Sequence, residues 1–341
     1  MKYKDVISQF NINLKDAVKR DPSLKEQDGF ILSDIKGSIS LIIQENKINE
    51  SKDYMLKKGI TGLIINMSLG YTKLDVDFLS DFNFIEYLNI VHQPLGDTKA
   101  INSLHGLKSL VLYAYFFTEI DFNNFSNLQE CSILHWTPNA KNLFNCTKLK
   151  KLYLRSYKKK DLSELENLKL LEELRVDNSP IKSLKGLSEL KSIKELDFGG
   201  LTKLTDIDEI KELPLLNKLN IQSCKKIPFE KLWQLKNLKW LNLSDIGNIP
   251  TIKGIEQLNM LEEVYMVGDT KILDGDTSPL LKLANIKKVG LAHLSHYKPT
   301  TLEIQAKIEG KDLKTLLQEY SHMRIYNKML KEINIRNKFK R

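Results

Sequence analysis

Residues 171–198 read LEELRVDNSPIKSLKGLSELKSIKELDF, and the same short phrase stands at both ends of this stretch. The phrase is an apolar residue, two residues of any kind, a second apolar residue, one further residue, and a third apolar residue. It is Leu171-Leu174-Val176 in the first copy and Ile193-Leu196-Phe198 in the second. A phrase that recurs at a fixed spacing of about 20–50 residues indicates a stacked repeat architecture, so this spacing decides the fold.

The phrase occurs ten times between Ile85 and Leu291. Its middle residues are 22, 21, 21, 22, 22, 23, 22, 23 and 25 positions apart. No single copy can bury its own apolar face, so the copies are expected to stack into one continuous core with a cap at each end. The other eight copies are Ile85-Leu88-Ile90, Leu107-Leu110-Leu112, Leu128-Cys131-Ile133, Leu149-Leu152-Leu154, Leu216-Leu219-Ile221, Leu238-Leu241-Leu243, Leu261-Val264-Met266 and Ile286-Val289-Leu291.

The end of each phrase alternates apolar and mostly polar residues, as in Leu152-Tyr153-Leu154. This alternation predicts a strand of about four or five residues with one buried face. The chain must return to the same edge before the next strand begins, so neighbouring strands should pair in parallel. The return segments have apolar residues three apart, as at Ile181, Leu184 and Leu187, a spacing that favours short 3₁₀ helices facing the core.

On these residues the chain resembles leucine-rich-repeat proteins, in particular the 22-residue bacterial or protein-phosphatase-regulator-like subclass. The resemblance implies an α/β leucine-rich-repeat solenoid, with a curved parallel sheet on the concave face and 3₁₀ or irregular segments on the convex side. The family usually places Asn or Cys three positions after the last strand apolar, where the side chain ties neighbouring turns together. Only Cys224 matches here, so aromatic or apolar packing is expected to replace that ladder. The ten positions are Gln93, Tyr115, Trp136, Tyr157, Ser179, Leu201, Cys224, Ile246, Asp269 and Leu294.

Composition favours an intracellular, cytoplasmic protein. The three cysteines, Cys131, Cys146 and Cys224, form no paired pattern, and Cys131 and Cys224 are expected to be small core residues. The first residues contain no apolar run of signal-peptide length, and no apolar stretch of about 18 residues occurs that would predict a membrane span. We expect a monomer that does not bind membranes.

Three segments are predicted: an N-terminal cap over residues 1–59, repeats over 60–299, and a C-terminal strand with a basic cap helix over 300–341. A helix is expected within residues 1–20, from Val6, Phe10, Leu14, Ala17 and Val18, ending near Asp21-Pro22. A strand over 39–43, a helix over 49–58 that stops at Gly59, and a strand over 62–66 should follow. This run is expected to be either a degenerate first repeat or a cap over the sheet edge.

At the C-terminal end, Leu302, Ile304, Ala306 and Ile308 alternate with polar residues and predict a half-buried strand. Residues 311–341 contain nine Lys or Arg against three Asp or Glu, so most of the net charge of +9 lies in this tail. It is either a cap helix with a solvated basic face or an anchor for nucleic acid or an acidic membrane. The apolar stripe that predicts the helix is Leu313, Leu316, Leu317, Tyr320, Met323, Tyr326, Leu330 and Ile333.

The register also predicts which side chains project from the exposed sheet: those flanking and between the buried strand positions, and the two that follow. An aromatic and apolar band is expected from Tyr87 to Tyr153, then an acidic block of Glu173, Asp177, Glu195 and Asp197. Exposed aromatics beside charges are typical of protein-binding hot spots, although aromatics also favour strands for their own packing. The predicted protein-binding residues are Tyr87, His92, Tyr113, His135, Tyr153, Arg155, Glu173, Asp177, Asp197, Trp240 and Tyr265.

No pattern for catalysis, a cofactor or a metal is found; Gly199-Gly200 lacks the residues of a phosphate loop, and His293 with His296 is a weak pair. Ten strands spaced by about 4.8 Å give a sheet on the order of 50 Å long, which suits a folded protein partner. We therefore expect a non-enzymatic module that binds a protein on the concave sheet, for example an inhibitor or an immunity-type protein. The alternative is a nucleic-acid-associated scaffold that uses the basic tail.

Overall fold

The computed structural model describes residues 14–35, 37–92 and 94–321 of the 341-residue chain. Several predicted features therefore lie outside the described residues: Val6 and Phe10 of the N-terminal helix, Gln93, and the basic tail from residue 322 onward. The chain divides into two compact units between Leu215 and Leu216. The predicted division at residues 59 and 299 stays a prediction.

Within the residues that the structure describes, the first unit has the α-helices α1 at Leu14–Arg20 and α2 at Ile48–Lys58. Its strands β3 to β6, β8 and β10 to β12 pair in parallel, as the repeat phrase predicts. The twelve strands described here are β1 Leu24–Gln27, β2 Phe30–Ile35, β3 Ser38–Ile42, β4 Gly62–Asn66, β5 Tyr87–Val91, β6 Ser109–Tyr113, β7 Ile120–Asp121, β8 Glu130–Ile133, β9 Ala140–Lys141, β10 Lys151–Arg155, β11 Glu173–Asp177 and β12 Glu195–Gly199.

Short 3₁₀ helices form the return segments of the first unit, which confirms the three-residue spacing argument. Leu162, Leu165 and Leu168 are fully buried in one such segment, and Ile181 and Leu187 are fully buried in the next. The 3₁₀ helices are Glu45–Lys47, Met67–Leu69, Asp77–Asp81, Lys99–Ser103, Phe122–Asn124, Leu143–Asn145, Ser163–Leu165, Leu187–Glu189 and Asp208–Glu212.

The N-terminal region combines both roles that the sequence left open. Strands β3 and β4 pair in parallel on either side of α2, like a first repeat, and α2 ends at Gly59, whose φ is 66°. Strands β1 and β2 precede them and pair antiparallel, which covers the outer side of β3. The sequence analysis did not predict β1 or β2.

Aromatic and apolar side chains pack between consecutive turns at the positions of the amide ladder, as predicted. Tyr157 and Leu201 are fully buried at ladder positions, and the Trp136 ring meets the Tyr157 ring edge-on at 5.1 Å. Side-chain amides still join consecutive turns, but on the return segments. There the Asn142 amide donates to Asp121 Oδ1 at 2.9 Å, and Asn102 Oδ1 accepts from the Asp121 amide N–H at 2.8 Å.

The second unit repeats the same plan on a smaller scale. Its strands β13, β14, β16 and β18 include parallel pairs β13–β14, β14–β16 and β16–β18. Its 3₁₀ helices are Phe229–Gln234, Ile255–Gln257 and Ser278–Lys282. Its strands are β13 Lys218–Gln222, β14 Trp240–Ser244, β15 Asn248–Ile249, β16 Glu263–Met266, β17 Lys271–Ile272 and β18 Lys288–Leu291.

The predicted strand over residues 302–308 is wrong, because the structure has helix α3 at Thr301–Ile308. Thr300 and Glu303 form a capping box, in which each side chain accepts from the other residue's backbone N–H. This cap favours a helix, and the helix buries Ile304 and Ala306. A second helix, α4 at Leu313–Ser321, follows Gly310 and buries Leu316.

One turn recurs at the same repeat position in both units. The residue that follows the strand segment has a positive φ in six successive repeats, and four of the six are not glycine. Ser, Asn, Asp and Gly occupy these positions, and of these Asn, Asp and Gly visit this region most readily. The six residues are Ser156, Asn178, Gly200, Ser223, Asp245 and Gly268.

Candidate functional site

The side of the sheet opposite the core, which we call the open face, is defined by the alternate strand residues between the buried ones. In the first unit the parallel register aligns these residues in rows across the strands. The buried positions match the repeat phrase: every phrase residue in either unit is buried except Ile286, which is half-buried.

The apolar end of the open face follows strands β5, β6 and β8. Tyr87 is 41% exposed, while Val91, Val111, Tyr113 and Leu134 are half-buried. Val91 pairs in register with Tyr113, so these side chains are neighbours across the sheet. The structure thus brings together the predicted aromatic and apolar band on adjacent strands.

Beside this band, at the end of the strands, Tyr115, predicted at a ladder position, stacks on His135, which is predicted to project from the sheet. The rings of Tyr115 and His135 lie 3.6 Å apart and nearly parallel, at 16°. Tyr115 is 49% exposed, and Phe117 nearby in sequence is 68% exposed. The aromatic run over residues 113–117 was the signal for this surface. Burial, and next the positive charge of Arg155, lower the pKa of His135, which favours the neutral imidazole.

Asp177 is the centre of a polar cluster on β10, β11 and β12. Its Oδ2 accepts from the Tyr153 hydroxyl at 2.8 Å, from Arg175 Nη2 at 2.8 Å and from Arg175 Nε at 3.0 Å. The Arg175 guanidinium lies over the Tyr153 ring at 4.7 Å from its centroid and lies 3.6 Å from Asp197. Burial, and then the hydrogen bond to Asp177, raise the pKa of Tyr153, so the phenol stays a donor.

The predicted acidic block is present, but cations are interleaved with it. Lys151 lies 3.2 Å from Glu173 and 3.6 Å from Glu130, and Arg175 joins Asp177 to Asp197. Asp177, predicted to project from the exposed sheet, bonds Tyr153 and Arg175 on that side but is only 7% exposed beneath them. This end of the face is therefore a network of paired charges.

The prediction that His92 projects from the open face is wrong. His92 is 1% exposed, its Nδ1 lies 2.8 Å from the Pro94 carbonyl oxygen, and its Nε2 is buried without a partner. The residue is not among those with positive φ, so the strand alternation continues one residue further and directs the side chain inward. Ala114, at the same position in the next repeat, is buried for the same reason.

In the second unit, the predicted smaller patch is present. The rings of Trp240 and Tyr265 lie 5.7 Å apart, and Lys218 Nζ lies 5.7 Å from the Trp240 ring. The Tyr265 hydroxyl donates to Glu263 Oε2 at 2.6 Å. Burial, followed by this hydrogen bond, raises the pKa of Tyr265 to about 12.

Across the described ranges, no three His, Cys, Asp or Glu side chains come together in a group that would hold a metal ion. None of the helices in the described part of the chain has the length and apolar character that crossing a lipid bilayer requires. Cys131, Cys146 and Cys224 are buried free thiols, as expected for Cys131 and Cys224.

Parallel strands, 3₁₀ return segments and a buried leucine phrase at this period together define the fold of a leucine-rich-repeat solenoid. The family model for the leucine-rich-repeat domain of the endo-beta-N-acetylglucosaminidase EndoS matches residues 168–247. A comparison with curated protein sequences finds no significant match.

Several solved structures are similar to this chain in fold. A leucine-rich-repeat protein of Leptospira interrogans is 20% identical, with a TM-score of 0.48, over 74% of this chain and 77% of that one. An internalin of Listeria monocytogenes is 20% identical, with a TM-score of 0.44, over 68% of this chain and 81% of that one. The ectodomain of the plant receptor kinase GASSHO1/SCHENGEN3 from Arabidopsis thaliana, solved with CASPARIAN STRIP INTEGRITY FACTOR 2, is 19% identical, with a TM-score of 0.42, over 69% of this chain and 35% of that one.

Proposed function

We propose that this chain is a non-enzymatic protein-binding module that holds a folded partner on the open face of its first unit. The observation that supports this proposal is the continuous surface from Tyr87 through Tyr113 and Leu134 to Tyr153. Large apolar and aromatic side chains stand there on adjacent strands beside fixed charges. Such a surface has the composition of an interface core with a polar rim.

The size of the face suits a protein. Seven parallel strands, β4 to β6, β8 and β10 to β12, span roughly 30 Å at about 4.8 Å per strand. A small molecule would use only a fraction of this length. The role we favour is inhibition of the partner by masking, as an immunity-type protein would do, in a cytoplasm that keeps the three thiols reduced.

The proposal is tested by pull-down from native cells with the wild-type chain and a Tyr113→Ala/Tyr153→Ala variant. A specific partner should be recovered with the wild type and lost with the variant. Leu56→Ala and Leu170→Ala remove exposed leucines outside the open face and should retain it; Leu56 and Leu170 are 54% and 50% exposed. Melting curves must show that all variants fold.

Two outcomes would contradict protein binding on this face. One is a partner recovered equally with the wild type and the double variant. The other is recovery of RNA or DNA that is insensitive to the double variant and lost when residues 333–341 are removed. That second outcome would favour the nucleic-acid scaffold.

A further inference from the structure

Arg155 differs from the other charged side chains of the open face in the first unit. Glu130, Lys151, Glu173, Arg175, Asp177 and Asp197 all take part in salt bridges, and Glu195 also has a polar interaction. Among the charged side chains of this face in the described part of the first unit, Arg155 is the one that has neither a salt bridge nor a hydrogen bond. Arg155 is half-buried as a residue.

The structure explains why Arg155 has no internal partner. Asp177 is its register neighbour on β11, but that carboxylate is already engaged. Its Oδ2 binds Tyr153 and Arg175, and its Oδ1 is directed over Gly199, 2.5 Å from where a Cβ would stand. The absence of a side chain at Gly199 thus leaves room for this orientation of the Asp177 carboxylate.

Arg155 lies at the border between the apolar band and the charged cluster, since Asp177 beside it holds the cation Arg175. Leu134 directly follows β8, the neighbouring strand, and Tyr113 lies one strand further away on β6; the pKa of His135 is lowered by burial and by Arg155 itself. A partner whose apolar side chains cover Tyr113 and Leu134 would exclude water from this border, so its anion would be less screened from the guanidinium than on an open surface.

We propose that Arg155 is the docking point for a carboxylate of the protein partner, an Asp or Glu whose apolar neighbours cover Tyr113 and Leu134. This inference rests on the proposed function and specifies the partner's chemistry. A nucleic-acid strand fits less well, because its phosphates need several unpaired cations, whereas Glu173, Asp177 and Asp197 lie on the next strands.

The test selects peptide ligands from a random-peptide phage library on the immobilised full chain, with counter-selection on the Tyr113→Ala/Tyr153→Ala variant. This step retains only peptides that bind the open face. Each retained peptide should contain an essential Asp or Glu. Arg155→Gln should weaken binding about tenfold or more, and Arg155→Lys less, since Lys keeps the charge but loses the bidentate fork.

The control is Lys151→Gln, which removes one positive charge from the same face at an already paired residue and should change Kd by less than about twofold. Replacing the peptide's essential Asp or Glu by Asn or Gln should weaken binding as much as Arg155→Gln does. Combining the two changes should weaken binding no further.

Face-dependent peptides that bind Arg155→Gln as tightly as the wild type would overturn this inference and leave the proposed function intact. Recovery of no peptide that distinguishes the wild type from the double variant would contradict both. Binding of a fluorescent single-stranded oligodeoxythymidylate that is lost in Arg155→Gln would overturn the carboxylate assignment in favour of phosphate.

Discussion

At the scale of single residues, the open face depends on one atom's position, that of Asp177 Oδ1. The oxygen has no hydrogen-bond partner and occupies the space above Gly199. An unpartnered buried carboxylate oxygen is costly, and here Oδ2 offsets that cost with three donors. The pair Asp177 and Gly199 therefore sets the arrangement of Tyr153 and Arg175.

Gly199→Ala is expected to destabilise the protein by about 1–3 kcal/mol, because the new methyl group would meet Asp177 Oδ1 and force the cluster to shift. Thermal unfolding measures the change. Gly106→Ala is the matched control, since its Cβ would lie 3.7 Å from the nearest atom, the Ile85 carbonyl oxygen. Asp177→Ala in the same chain should remove most of the penalty; an equal penalty with and without Asp177 would argue against this explanation.

His92 gives a prediction about pH. Its burial lowers its pKa below the usual 6.5, so the folded state holds a neutral imidazole while the unfolded state gains a proton as the pH falls through 6.5. The unfolded state then binds more protons, and the free energy of unfolding should decrease below that pH, by up to about 1.4 kcal/mol per pH unit for one group.

Chemical denaturation between about pH 5 and 7.5 measures this slope, above the range in which most carboxylates titrate. His92→Gln should reduce it, and His135→Gln, at the other histidine whose pKa burial lowers, should remove a further part of the slope. The same slope in His92→Gln and in the wild type would show that another group causes the pH dependence.

At the scale of secondary-structure elements, α3 shows how a cap can override an alternating pattern. Leu302, Ile304, Ala306 and Ile308 alternate, but Thr300 and Glu303 supply the capping box that starts a helix. The alternation was a coincidence of composition over eight residues, too few for a period of two to exclude a helix. The signal in the sequence was the Thr-x-x-Glu spacing.

Thr300→Ala is expected to lower the free energy of unfolding by about 0.5–2 kcal/mol through loss of the cap. Thr301→Ala, one residue inside the helix and without this role, is the control and should change stability less. Denaturant unfolding of both variants measures the difference. If the two losses were equal, the capping box would not be what stabilises α3.

Strands β1 and β2 were missed although their signal was present. Asp28-Gly29 joins them with φ values of 53° and 79°, and Asp-Gly between two strand segments is a strong hairpin signal. Local turn chemistry and the long-range period are independent signals, and each must be scored separately.

At the scale of the whole molecule, the period predicted the parallel strands, the 3₁₀ return segments and the buried phrase residues, because each repeat solves the same packing problem. It could not predict which face residues pair with one another. Arg175, Lys151 and Asp177 occupy face positions by register, but their ion pairs depend on side-chain reach across strands. The period could likewise not predict that His92 is buried, because this depends on whether the turn after the strand begins before or after this residue.

Six repeats share the same turn, so their backbones can replace one another. The turn residues are Ser156, Asn178, Gly200, Ser223, Asp245 and Gly268. A duplication or deletion that begins and ends at two of these turns joins backbones of one conformation. Such an event would replace all the open-face side chains of a repeat at once and would keep the spacing of the buried apolar phrase. The earlier repeats, in which His92 and Ala114 turn inward, lack this junction, so new specificities are expected to arise by shuffling downstream of Ser156.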